Sequence, residues 1–273
     1  MYSRGSCPCL RRGALALCLA TGVVLGLAPT ATATPGPDQP SESAAAQPSP
    51  RSPDFLFNRP RGSIGVRGSW LFERAGSKLF DFLQDQLTVE RRDFDAPAFG
   101  VDLGMAVTPR VDALFGFDFS RRSKNSEYRK FVDNNRLPIT QTTRLTQANL
   151  SGSVKVAATP RGRAVSRFAW VPRGVTPYVG VGGGFLWYAF EQDGDFVDFV
   201  DNKTIFTSHF RSSGWTPSAH AFAGTDLKLL PRLFLTLEGR YVWAHADLDR
   251  DFSGFDPIDL AGFKLTAGVN LLF

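Results

Sequence analysis

Phe263-Lys264-Leu265-Thr266-Ala267-Gly268-Val269-Asn270-Leu271-Leu272-Phe273 alternates apolar and polar side chains down to the last residue. Successive strand side chains point to opposite faces, so a period of two marks a β-strand with one apolar and one polar face. Phe263, Leu265, Ala267, Val269, Leu271 and Phe273 share the apolar face, and Lys264, Thr266, Gly268 and Asn270 lie on the other. The pattern recurs far upstream, where Ile64, Val66, Gly68, Trp70 and Phe72 alternate with Gly65, Arg67, Ser69, Leu71 and Glu73.

Eight such stretches run through the chain, at 62–73, 97–107, 111–121, 145–157, 177–190, 216–229, 233–245 and 260–273. Each is about 10–14 residues long, against ~9–11 for a tilted membrane-crossing strand and ~5–6 for a typical soluble strand. Thr108-Pro109-Arg110 and Leu230-Pro231-Arg232 are tight turns, whereas 74–96, 122–144, 191–215 and 246–259 are long and polar. Short turns at one end and long connections at the other are the pattern of a barrel whose long loops lie outside the cell. The fold expected is all-β, an eight-stranded antiparallel up-and-down transmembrane β-barrel with long extracellular loops. The connection 158–176 is the exception, long on the short side and basic through Arg161, Arg163, Arg167 and Arg173; it reads as a periplasmic lip. A soluble barrel with its apolar face inward is the rival, because alternation does not say which face is inside. Trp70, Phe72, Trp187, Tyr241, Trp243, Phe263 and Phe273 sit near strand ends on the apolar face, where a membrane barrel carries aromatic girdles.

The polar face carries Arg67, Glu73, Asp102, Asp118, Lys155, Asp226, Lys228, Glu238, Arg240 and Lys264, five acids and five bases. Eight strands enclose room only for side chains. An unpaired buried charge is expensive, so these ten residues are expected to pair into a lumen charge network that plugs the barrel.

Ahead of the barrel, residues 1–33 read as a signal peptide: Arg4, Arg11 and Arg12, an apolar run from Gly13 to Ala28, then Ala31-Thr32-Ala33. That run is short for a membrane-spanning helix. Residues 34–60 are expected to be a disordered Pro/Ser/Ala-rich periplasmic segment, with six prolines and no aromatic residue between Thr34 and Pro53. The barrel domain is then 61–273. Cys7, Cys9 and Cys18 all fall in the signal, which leaves no disulfide or zinc–thiolate site downstream. Without the signal's three arginines the chain holds 28 basic and 26 acidic residues, which gives no case for nucleic acid.

Thr176-Pro177-Tyr178-Val179-Gly180-Val181-Gly182-Gly183-Gly184, Leu237-Glu238-Gly239-Arg240-Tyr241 and the closing Leu265 to Phe273 give the chain a likeness in pattern. It resembles the small outer-membrane barrels of the OmpW, OmpX and OmpA-barrel type over about 210 residues. The resemblance implies location in the cell outer membrane, among its lipid and lipopolysaccharide. It implies that Phe263, Leu265, Val269, Leu271 and Phe273 serve as the signal read by the barrel-assembly machinery, with periplasmic chaperones acting on the way. In OmpW-like barrels an apolar mouth is associated with small hydrophobic molecules.

The long connections are apolar as well as charged. Phe196, Phe199, Phe206 and Phe210 are interleaved with acids, and 77–87 reads as a short amphipathic helix capped by Ser77 and carrying Phe80 and Leu83. These aromatic and leucine side chains form either a lid or an apolar loop mouth. A binding or structural role follows, in which the barrel binds a small hydrophobic ligand or passes it laterally, with a surface adhesion role acting through the loops as the alternative. A rim hydrolase or acyltransferase built on Ser208, His245 and Asp247 is the third reading, but any loop-rich chain offers such a triple, and no enzyme is expected. Asp193-Gly194-Asp195 lacks the order of a calcium loop and its closing Glu, so no metal or other cofactor is assigned.

Overall fold

The structure is a computed structural model that describes residues 54–133, 135–198 and 204–273. The proposed signal, most of the Pro-rich segment and Phe199 lie outside them. Eight strands form the wall: β1 Gly62–Glu73, β2 Ala96–Ala106, β3 Val111–Val132, β4 Pro138–Ala157, β5 Val175–Val197, β6 Ile205–Lys228, β7 Leu233–Ala246 and β8 Gly262–Leu272. Each pairs antiparallel with the next, and β8 pairs back on β1 from Gly262↔Glu73 to Leu272↔Ser63. The ring is closed, which leaves no free edge within the wall. The chain ends lock the seam: the Gly62 N–H donates to the Phe273 carbonyl and the Phe273 N–H to the Gly62 carbonyl, both at 2.9 Å.

The exposure of the side chains decides which face is inside. Val66, Phe99, Phe115, Leu150, Val181, Trp215, Trp243 and Leu265, one from each strand, are between 47% and 68% exposed on the outer surface. Arg67, Asp118, Lys155, Arg240 and Lys264, one residue away in phase, lie inside. Water would not tolerate an apolar band of this extent, whereas hydrocarbon does. The aromatic residues gather toward the long-connection end: Phe72 stacks on Phe263, Tyr241 lies 4.9 Å from Trp243, and Trp187 pairs across from Trp215. The fold is an eight-stranded transmembrane β-barrel, and the soluble alternative is excluded.

Two of the expected loops are mostly strand. β3 and β4 stay paired out to Val132↔Pro138, and β5 and β6 out to Val197↔Ile205, so 122–144 and 191–215 are hairpins that stand above the bilayer zone. Apolar–polar alternation ends where hydrocarbon ends, but backbone N–H and C=O groups still require partners, and pairing continues. The segments 74–95 and 247–261 fold between these hairpins. They contribute helix α1, Lys78–Gln86, two 3₁₀ turns at Arg91–Phe94 and Arg250–Phe252, and an apolar crown core.

At the opposite end, Thr108 Oγ1 accepts the N–H groups of Arg110 and Val111 and fixes the first tight turn. The connection after β4 is ordered. Gly162–Ala164 pairs with Ala169–Pro172, and Leu56–Phe57 adds to that pair as a third strand. The end of the segment expected to be disordered is therefore held in a small accessory sheet, with Trp170 buried beneath it.

Candidate functional site

The lumen is filled from wall to wall. Arg67 on β1 donates to Asp102 on β2 at 2.5 Å and to both carboxylate oxygens of Asp118 on β3, at 3.0 and 2.9 Å. Bidentate carboxylate recognition of this kind suits the planar guanidinium. Gly100 and Gly116 make the approach feasible: a Cβ on Gly100 would lie 2.8 Å from Arg67 Nε, and one on Gly116 2.9 Å from Asp102 Oδ1. Lys264 lies 4.0 Å from Asp118. Arg240 pairs with Glu238 at 2.8 Å, and Tyr178 donates to the same carboxylate at 3.0 Å. Lys155 pairs with Asp226 at 2.6 Å and sits 3.7 Å over the Tyr178 ring. Glu73 accepts from Gln147 at 2.5 Å near the crown, and His220 bonds Ser153 at 2.8 Å.

Glu73 and Lys228 fall outside this ion-paired network: Glu73 has only the neutral Gln147, and its other carboxylate oxygen is buried without a hydrogen-bond partner among the described residues. Lys228 lies at the short-turn mouth and pairs with Asp54, ahead of the barrel. Asp112 and Arg161 are members that sequence reading missed, and the accessory connection swings Arg161 inward onto the buried Asp112. Asp112 shares the phase of Asp118 in the same stretch, a signal that was legible. Arg161 carried none, because its position depends on the accessory sheet. What remains between the charges is a polar cavity of about 50 Å³ lined by Arg67, Asp102, Asp112, Lys155, Arg161 and Arg240, among others.

At the crown, α1 forms where expected, but Ser77 does not cap it through its side chain, and its hydroxyl is buried without a partner. The helix is held by packing instead. Leu79, Phe80 and Leu83 are about 1% exposed in a core with Phe94, Tyr128, Phe190, Phe252 and Ile258. Phe80 therefore belongs to a lid core and not to an apolar mouth, while Leu83 packs in that core and also borders the cleft beside it. Arg129 Nε donates to the Leu87 carbonyl at 2.6 Å and ties the end of α1 to β3. Lys124 contacts Asp93 at 2.8 Å. Partial burial pushes the Asp93 carboxyl up, but the Lys124 and Glu90 N–H hydrogen bonds outweigh it and hold the group below its ordinary value.

An open cleft remains on one flank of the crown. Its volume is about 200 Å³, and Phe82, Leu87, Phe196, Phe206, Phe210, Phe252 and Phe255 line it. Phe196 meets Phe210 at 4.7 Å, and Phe82 meets Phe255 at 5.4 Å. Gln141 and Gln192, hydrogen-bonded at 3.3 Å, supply a polar patch beside the rings.

The hydrolase triple does not assemble. His245 meets Asp259 at 3.5 Å, while Ser208 pairs with Gly194 far out on the β5–β6 hairpin. The loop acids have structural partners: Asp249 and Asp251 accept the N–H groups of Ser213 and Arg211, and Asp195 accepts from Thr207. Among the described residues no group of His, Cys, Asp and Glu has metal-holding geometry.

No protein-family model matches the chain, and no curated protein matches it in sequence. Among solved structures it is similar to neisserial surface protein A, at 10% identity over 78% of this chain and 97% of that one, with a TM-score of 0.45. It is similar to Ail, the attachment invasion locus protein of Yersinia pestis, at 12% identity over 79% and 100%, with a TM-score of 0.39. A third likeness is to outer membrane protein AlkL, at 13% identity over 87% and 96%, with a TM-score of 0.34. The closed ring of eight strands, apolar outside and charged inside, makes the chain a small barrel of the outer-membrane type on its own geometry.

Proposed function

We propose that the chain resides in the outer membrane and binds a small hydrophobic molecule in the crown cleft. The aromatic-lined cleft of about 200 Å³, above a lumen closed by ion pairs, carries this reading. An apolar cavity of ~150 Å³ holds benzene, so this one suits a bicyclic aromatic molecule or a short alkyl chain. Every neighbouring pair of strands is in continuous register within the wall, so lateral passage into the bilayer would first require strand separation. Binding is accordingly the primary role. The last strand, through Phe263, Leu265, Val269, Leu271 and Phe273, serves as the assembly signal.

Naphthalene titrated into the refolded protein, followed by its own fluorescence against empty micelles, tests the cleft. Phe82→Ser with Phe206→Ser, both partly exposed cleft residues, should weaken binding about tenfold or more, as expected for losing two aromatic contacts. Equal binding by the double variant would sink the proposal.

One observation favours the adhesion alternative. Asp249 and Asp251 cap the edge of β6 at Ser213 and Arg211, but above Arg211 the strand has no strand partner on its far side among the described residues, and Phe206 is exposed there. Such an edge is a template for another chain. Surface attachment by cells carrying Phe206→Lys measures it, and unchanged attachment counts against it.

A further inference from the structure

The two ends of the barrel differ in how many of their exposed cations are ion-paired. At the crown, four exposed cations have carboxylate partners, Lys78 with Asp256, Arg91 with Asp81, Arg92 with Glu90 and Lys130 with Asp85, whereas exposed Arg129, Arg136 and Arg250 have none among the described residues. At the short-turn end, Arg59, Arg61, Arg110, Arg163, Arg173 and Arg232 are all exposed, and none is ion-paired among the described residues. Arg167 is exposed too, with its guanidinium 5.7 Å over the Phe168 ring. The carboxylates closest in sequence are already taken, Asp54 by Lys228 and Asp112 by Arg161.

These arginines are spread rather than clustered. Arg59 and Arg61 precede β1, Arg110 lies in the β2–β3 turn, Arg163, Arg167 and Arg173 lie in the β4–β5 connection, and Arg232 lies in the β6–β7 turn. In a ring of eight strands these four positions are two strands apart, so positive charge encircles the rim. Apolar side chains are interleaved with it: Phe57 is 74% exposed, Phe168 62%, and Val107, Val165 and Leu230 are also exposed. Long cationic side chains beside exposed aromatic residues are what a headgroup layer selects, with the stem and ring in the apolar boundary and the charge at the phosphates.

We propose that this rim binds the phosphate headgroups of anionic phospholipids in the leaflet that meets the short turns. The accessory sheet of Leu56–Phe57, Gly162–Ala164 and Ala169–Pro172 is its densest part. The distribution argues for lipid over a cell-wall polymer. A bilayer surrounds a barrel on all sides, whereas a carboxylate polymer would dock at one locus and would not require exposed Phe57 and Phe168.

The test is native mass spectrometry of the full-length protein released from micelles that contain equal phosphatidylglycerol and phosphatidylethanolamine. The wild type should retain phosphatidylglycerol preferentially. Arg163→Gln/Arg167→Gln/Arg173→Gln should lose about tenfold or more of that preference, since each surface cation contributes appreciably to anionic-lipid attraction. The corresponding triple Lys variant should keep most of it. The wild-type preference should also fall as salt is raised from ~0.05 to ~0.5 M, a measurement that needs no variant to fold. A wild type without preference, a Gln variant as selective as the wild type, or a preference indifferent to salt would each overturn the proposal. Retention of soluble muropeptides with no lipid selectivity would do the same and assign the rim to the cell wall.

Discussion

Replacing Arg67 by Met removes the cation that holds two strands' worth of buried carboxylate while roughly keeping side-chain length. Arg67 touches Asp102 at 2.5 Å and Asp118 at 2.9 Å, and the Arg67 and Asp118 side chains are only 7% and 4% exposed. Removing one partner of such a buried pair costs ~3–5 kcal/mol, because the orphaned charge keeps its desolvation penalty. Lys264, 4.0 Å from Asp118, compensates in part and places the expectation at the low end. About 3 kcal/mol, or roughly a hundredfold in the folded-to-unfolded ratio, should be lost. The companion Arg67→Met/Asp102→Asn removes one carboxylate charge with the guanidinium and leaves Asp118 to Lys264. It should recover at least half of that loss. Urea unfolding from micelles, followed by tryptophan fluorescence, reads both variants. Arg67→Met within ~0.5 kcal/mol of wild type, or a companion as unstable as the single variant, would refute the view that the lumen is held by compensated charge.

The rest of the molecule offers further checks. Phe80→Ala should cost the crown ~3–5 kcal/mol, since Phe80 is buried against Phe94 and Phe190. Limited proteolysis should then cut around α1 while the barrel keeps its heat-modifiable gel mobility. Planar-bilayer recording should find the wild type electrically silent, and Arg161→Ala should stay silent because the Arg67 tier still closes the lumen. Phe273→Ala keeps the two backbone bonds to Gly62, so refolding in micelles should be little changed while the amount assembled in cells falls several-fold. Asp93 has a lowered carboxyl value, so its contribution to the crown is complete above about pH 4 and is lost as pH falls through its folded value. Asp93→Asn should flatten the acid dependence of proteolytic protection at the Arg91–Phe94 turn.

The sequence by itself determined the wall. A period of two sustained for about eleven residues, eight times over, demands strands, and hydrocarbon on one side demands that all the apolar faces agree. Those are local constraints, and the phase of Arg67, Asp118, Lys264 and even the overlooked Asp112 could be read from them. The tertiary structure decided what depends on contacts distant in sequence. Arg67 finds partners 35 and 51 residues away, and nothing in the alternation says which acid meets which base. The crown core draws Phe80, Tyr128 and Phe252 from three separate connections and Phe190 from the end of an apolar stretch, so whether those side chains formed a lid or a mouth rested on how the connections meet. The hairpins outran their apolar pattern because backbone pairing does not depend on hydrocarbon. Leu56–Phe57 became a strand because Ala169–Trp170 offered an edge more than a hundred residues downstream. That same sheet sets Arg161 in the lumen, leaves its neighbours Arg163, Arg167 and Arg173 exposed at the rim, and turns a connection of undefined shape into a basic surface.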